Sequence, residues 1–330
     1  MGLKQSYFTI YNKRNRKSAI ATLADKTGMR IIFPFYHVVS DEPVQHINYL
    51  YKVKTTKQFI ADLNFLLENY LPLAIDDYQN GNYNPEKNYF VLSFDDGLSQ
   101  MAHVVHPILK SLSIPALFFL NSGFIDNTAL FYRYKVALLL AEIEHTALAT
   151  QISAVLSLNK IKVADPVKYL LQLKYKDTNL IDSIAKSCNY NFEDYLKNTH
   201  PYLSTTQIFD LIKDGHAVGA HSVDHPLYSA IDPQLQFVQT RDSMRFINEK
   251  FNLPKNYFAF PFTADGVVKE LFPAMYSELN IHKSFGTAGL QKNKINNHIE
   301  RIPAEHQTYD LETLVKNEYH YFQFKKMFGK

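Results

Sequence analysis

A single cysteine, Cys188, stands in 330 residues, so no internal disulfide can hold this chain together and its stability has to come from a packed core. Long apolar runs are missing as well: none approaches the ~20 residues that a membrane helix needs. The first 30 residues are polar and interrupted, without the continuous apolar stretch of a secretory leader, and cytoplasmic residence is the expectation. Charge of one sign is scarce, since a net +3 is too small for a nucleic-acid footprint. Tryptophan is absent, whereas 22 Tyr and 24 Phe are present, a surplus that suits a carbohydrate cleft but is more commonly core packing. The one dense basic cluster, Lys13, Arg14, Arg16 and Lys17, reads as a solvated arm. The alternative is a weak peripheral attraction to anionic lipid.

What is present is enough for a globular protein. With 46% hydrophobic side chains the chain can bury a full core as one large α/β domain or two smaller ones. Residues 30–36 (RIIFPFY) read as a buried strand that delivers His37 at its C-terminal end. A helix is predicted over 55–70, where Phe59, Leu63, Leu66 and Leu67 form an apolar stripe and Pro72 marks the stop. Residues 89–94 form the next strand, running straight into Asp95-Asp96-Gly97, with an amphipathic helix over 98–112 and a third strand over 114–120. Ser204 and Gln207 make a capping box for a helix to about 214, Gly215 ends it, and a short strand leads into His221. Further on come a helix over 233–251, a strand over 257–262, and weaker strand signals near 282–285 and 299–302.

Strands alternating with helices favour parallel β/α units, with catalytic groups gathered at the C-terminal strand ends. His37, Asp95, His221 and Phe262 all occupy such ends. The expected organisation is an N-terminal arm (1–29), a catalytic domain made of 30–125 and 202–330, and a mostly helical insertion (126–201) between its halves.

Two adjacent carboxylates at a strand end repel each other at neutral pH unless a cation or separate roles resolve the conflict. Asp95-Asp96-Gly97 taken alone is also compatible with an ordinary turn. In His221-Ser222-Val223-Asp224-His225, two imidazoles four residues apart can reach one ion, and neutral imidazole is a strong ligand for Zn²⁺ and similar metals. An isolated pair of histidines is weak evidence, but two such clusters ending strands of one sheet reinforce each other.

Together these motifs resemble the NodB-homology polysaccharide deacetylases, carbohydrate esterase family 4. Ser93-Phe94-Asp95-Asp96-Gly97 matches the family's first motif. His221 to His225, led in by residues 215–220, matches the second, and Ala259-Phe260-Pro261-Phe262 falls where the third belongs. Tyr36-His37-Val38-Val39 resembles the element that carries the acid histidine in the circularly permuted poly-N-acetylglucosamine deacetylases. The likeness spans residues 30–125 and 202–305.

The resemblance implies a distorted (β/α) barrel of about seven parallel strands and one divalent ion held by Asp96, His221 and His225. Zinc is the first expectation, with nickel, cobalt and iron also compatible. It further implies Asp95 as general base, the backbone N–H of Phe262 as oxyanion donor and His37 as general acid, with His306 as the rival acid. The expected reaction is removal of an acetyl group from an N-acetylated saccharide. Given cytoplasmic residence, a nucleotide sugar or lipid-linked sugar suits better than a mature polymer. An O-acetyl esterase, another amidase, or a catalytically silent glycan-binding or scaffold protein are the alternatives. One departure stands out: Ala259 occupies the position where much of the family has an Arg that orients the base. Arg301 and Arg133 are the candidates to replace it. His103 and His106 share one helical face and receive no role.

Overall fold

Short runs of aromatic and aliphatic residues, buried on both faces, set the architecture of this chain. The computed structural model describes residues 2–15, 17–145, 148–158 and 165–328. Its main sheet is built from β1 (Pro34–Tyr36), β2 (Leu92–Phe94), β3 (Ala116–Leu120), β4 (Ala217–Ala220), β5 (Tyr257–Ala259), β6 (Lys283–Gly286), β7 (His298–Glu300) and β8 (Ile302–Pro303). In space they run β7-β6-β5-β4-β3-β2-β1-β8, every pair parallel, as a nearly closed barrel. The described residues thus supply eight parallel strands where about seven were expected. The extra one is the two-residue β8, split from β7 by Arg301.

All five residues of β3 are buried, as a parallel sheet covered on both sides requires. Its side chains alternate: Leu117 and Phe119 join one apolar cluster with Phe33, Val91, Ala259 and Phe285, while Ala116, Phe118 and Leu120 join another with the outer helices. The two predicted strands that begin at 30 and 89 each break in the middle. Ile31–Ile32, Tyr89–Phe90 and Leu71–Pro72 form a separate three-stranded parallel sheet, and the chain then bends at Phe33 and Val91 into the barrel.

The predicted helices are found close to their expected bounds. Thr56–Asn69 carries a full Thr55/Gln58 capping box, Thr205–Lys213 a Ser204/Gln207 box, and Pro233–Phe251 coincides with the expected range. The segment after Gly97 is less regular than the expected continuous helix, with a π-helical turn at Met101–Val105 preceding His106–Ser111. Between β3 and β4 the described chain is mainly helical: Tyr132–His145, Leu148–Leu158, Pro166–Gln172, Thr178–Ser187 and Phe192–Thr199. These helices share a core of Phe131, Tyr134, Leu139, Ile152 and Ile184, which continues into Val38, Leu98 and Tyr202 beside the barrel.

The N-terminal segment is not a free arm. Ile20, Leu23, Ala24 and Thr27 repeat at helical spacing and are buried in Ile20–Thr27, and Phe8 of the helix Leu3–Asn15 enters the main core. Asn15 donates to Asn317 Oδ1 at 2.8 Å, tying the segment to the helix Leu311–Met327. Of the basic cluster, Arg14 and Lys17 are exposed, while Arg16 and the side chain of Lys13 lie outside the described residues. No described helix is long and apolar enough to cross a membrane.

Candidate active site

Parallel strands in register deliver their C-terminal residues to one rim. Tyr36 pairs with Phe94, so His37 follows beside Asp95, and Leu120 pairs with Ala220, which precedes His221. Phe262 lies three residues beyond β5, Arg301 interrupts β7 and β8, and Glu305 follows β8.

Asp96, His221 and His225 meet in a buried group whose ligand atoms lie within 4.8 Å of one another. Asp96 Oδ1 stands 3.1 Å from His225 Nε2 and 3.5 Å from His221 Nε2, with no hydrogen-bond partner among the described residues. His221 Nδ1 donates to the Ala259 carbonyl at 2.8 Å, which leaves Nε2 as the lone-pair face of that ring, and burial pushes its pKa down to about 4 so that it stays neutral. Burial alone would raise the Asp96 pKa, but His225 and its neighbours hold the carboxyl below the usual range. Tyr134 from the insertion donates to Asp96 Oδ2 at 3.2 Å and steadies that carboxylate. A neutral imidazole aimed at a carboxylate oxygen with no donor suits a divalent ion, and the residues present fit one.

The backbone here is unusual. Asp96 (φ 73°), Ser222 (φ 67°), His225 (φ 62°) and Phe262 (φ 61°) all adopt left-handed conformations, which non-glycine residues rarely do. Gly97 (φ 68°) allows the turn after Asp96, and a Cβ there would lie 3.0 Å from Leu120 Cδ2. The Asn121 amide donates to the His221 carbonyl, and Ser222 Oγ accepts the His225 N–H at 3.0 Å, so the histidine loop is fastened from within.

Asp95 is almost fully buried and gripped by Arg301, whose Nη1 and Nη2 each donate to one carboxylate oxygen at 2.7 Å. The Arg301 side chain is itself completely buried, and its guanidinium lies 4.3 Å from the Phe35 ring centroid and 5.1 Å from that of Phe119. Burial works to raise the Asp95 pKa, and the Arg301 charge overrides it and holds the carboxyl low. Arg301 therefore makes the contact to Asp95 for which Ala259 has no side chain. Arg133 stands elsewhere, over the Phe262 ring.

His37 is held by a residue that sequence reasoning missed. Glu305 Oε2 accepts from His37 Nδ1 at 2.6 Å and from the His37 N–H at 2.9 Å, while Oε1 accepts from the Val38 N–H at 2.9 Å. Burial by itself would lower the His37 pKa, but the Glu305 carboxylate reverses this and raises it to about 9, with Asp96 and Asp95 adding to the pull. The His37 side chain keeps 30% exposure, so a bound molecule can reach it. His306, by contrast, turns into its own loop, where Nδ1 accepts from the N–H of Thr308 and Tyr309, and burial lowers its pKa. His103 and His106 bond to Gln207 and Asp214 away from this group.

Phe262 contributes both backbone and ring. Its N–H makes no hydrogen bond among the described residues, and its ring packs 4.7 Å from that of His225. Phe131, at the mouth of the insertion, packs 4.6 Å from His225 on another side. Tyr175, also of the insertion, donates to Asp224 Oδ2 at 2.8 Å. The insertion thus walls the site.

No sequence-family profile and no curated protein matches the chain. Solved structures do. Streptococcus pyogenes deacetylase PplD, determined in complex with acetate, is similar over 87% of this chain and 97% of its own, at 15% identity and a TM-score of 0.57. IcaB from Ammonifex degensii is similar over 87% and 97%, at 14% identity and a TM-score of 0.56. A polysaccharide deacetylase from Bacillus cereus is similar over 87% of this chain and 68% of its own, at 13% identity and a TM-score of 0.54. At such identities the likeness speaks for architecture, and the chain is built on the distorted (β/α) barrel of solved polysaccharide deacetylases.

Proposed function

We propose that this protein is a metal-dependent hydrolase that removes an acetyl group from an N-acetylated sugar. One observation carries the reading: a buried Asp96-His221-His225 group shares its rim with a carboxylate clamped by arginine and a histidine clamped by glutamate. The deacetylases that share the barrel, one of them solved with acetate, support the same class of reaction.

Asp96, His221 and His225 would hold one divalent ion, zinc being the first candidate. Such an ion polarises an acyl carbonyl and acidifies water. The remaining work falls to the chain. Asp95, kept ionised and oriented by Arg301, accepts the proton of the attacking water. The Phe262 N–H, with no partner among the described residues, donates to the oxygen on which negative charge develops. His37 has Nδ1 committed to Glu305, so Nε2 is the atom that carries a proton to the leaving nitrogen. With a pKa near 9 it is charged at neutral pH. The C–N bond breaks as that proton is delivered, and acetate and a free amine leave.

This acid favours an amide over an ester substrate, because an amine leaves only once protonated whereas an alcohol leaves more readily. The test is acetate release by metal-loaded protein from N-acetylated sugars and from O-acetylated counterparts. Release with stoichiometric free amine supports N-deacetylation, while release from esters alone, or from nothing, contradicts it.

A further inference from the structure

Every carboxylate beside the metal-ligating group is already answered: Asp95 by Arg301, Glu305 by His37, Asp224 by the Tyr175 hydroxyl. The reverse does not hold for the cations. Arg133 is half-buried, its guanidinium lies 5.9 Å from the Phe262 ring centroid, and it has no carboxylate partner among the described residues. Lys135, two residues further along the same helix, does have one in Asp182, at 2.7 Å. Arg133 also stands in the first turn of Tyr132–His145, where a positive charge opposes the helix dipole and no acidic residue offsets it. Its charge reaches the Tyr51 phenol, whose ring is 5.8 Å from that of His37.

Arg133 is therefore placed one aromatic ring away from His225, its guanidinium against the ring of Phe262, whose backbone N–H is proposed above as the oxyanion donor. A guanidinium held this way, against an aromatic ring and without a carboxylate partner among the described residues, matches a planar or tetrahedral oxyanion group with two parallel hydrogen bonds. We propose that Arg133 binds an anionic group on the substrate, so that the N-acylated sugar taken here carries a carboxylate or phosphoryl group about one ring width from the amide that is cut. The proposal rests on the deacylase reading above and narrows its substrate class. It also gives the insertion a task, since that segment supplies Arg133 and the adjoining wall.

The test uses the full chain loaded with metal, its Arg133→Met and Arg133→Lys variants, and three probes: N-acetylglucosamine, N-acetylglucosamine 1-phosphate and 2-acetamido-2-deoxyglucuronic acid. Binding is measured by titration calorimetry at two salt concentrations, with acetate release followed in parallel. An anionic probe is expected to bind at least about tenfold more tightly than the neutral sugar. The advantage should shrink with salt, disappear in Arg133→Met, survive in part in Arg133→Lys, and leave the neutral sugar's affinity unchanged. Which anionic probe binds better separates a phosphoryl from a carboxylate source. Equal affinity of wild type for neutral and anionic probes, or a preference that persists in Arg133→Met, overturns the proposal. Because binding needs no turnover, the two readings fail separately. Preference without any acetate release contradicts the deacylase reading alone, and release from the neutral sugar without preference contradicts the anion site alone.

Discussion

At the scale of single residues, the site is the Asp96-His221-His225 group with two clamped pairs, Asp95–Arg301 and His37–Glu305, at the same rim, and each clamp makes its own prediction. Arg301→Lys keeps a positive charge beside Asp95 but loses the two-pronged grip on both oxygens. Misplacing the base in this way should lower turnover by about 100-fold with metal content unchanged. Turnover within a few-fold of wild type would show that the grip is not needed. Glu305→Gln removes the charge that raises the His37 pKa to about 9 against burial, so the fall in kcat/KM on the alkaline side should move toward the ordinary value of 6.5. The sign is fixed by which form works: the acid must be protonated, so activity is lost as pH rises through the folded pKa. The His37–Glu305 pair likewise contributes stability in full below 6.5 and loses it as pH rises through about 9. A pH profile identical to wild type would remove His37 from the acid role. Asp95, Asp96, His221, His225, His37 and Phe262 were all legible as residues at strand ends or within motifs. Glu305 was not, because it carries no motif and acts through a contact 268 positions away in the chain.

At the scale of elements, the helix Tyr132–His145 reaches from the insertion into the barrel's mouth, and Tyr134 is its point of contact with Asp96. Tyr134→Phe keeps the packed ring and deletes only the donor. Metal affinity should therefore fall about tenfold while the melting temperature stays near wild type, read by titration against a chromogenic chelator. Unchanged affinity would mean that the insertion only covers the site. Periodicity predicted this segment as helical, but nothing in it pointed to Tyr134, since a buried tyrosine in an apolar helix looks like core from its neighbours alone. Elements whose apolar residues keep to one face or run as uninterrupted short stretches were well placed by sequence, as Thr56–Asn69 and Pro233–Phe251 show. Leu311–Met327 was missed because Thr313, Lys316, Asn317 and Glu318 are buried among its apolar residues, which blurs the stripe. The N-terminal helices were missed for a related reason. Their polar sequence hides contacts such as Asn15 to Asn317 that exist only once the C-terminal helix is in place.

At the scale of the whole molecule, the barrel brings residues from 37 to 305 to one rim because eight parallel strands share a direction. That rim touches the apolar clusters at Phe131, Tyr134 and Phe262, but most of the residues in those clusters lie away from it, so the metal-free protein should remain folded. An ion that binds only the native state should still raise the melting temperature by a few degrees at about 100-fold excess over its dissociation constant, seen by calorimetry with and without chelator. Unfolding on chelation would contradict a fold held by its apolar clusters alone. The central claim is that Asp95 accepts a proton while Asp96, His221 and His225 hold the ion. Its most direct test is to measure metal content and acetate release together for wild type and Asp95→Asn on N-acetylated sugars. The account predicts one ion per chain in both proteins and acetate release only from wild type. Release by Asp95→Asn at the wild-type rate, or none from metal-loaded wild type on any N-acetylated sugar, would contradict it.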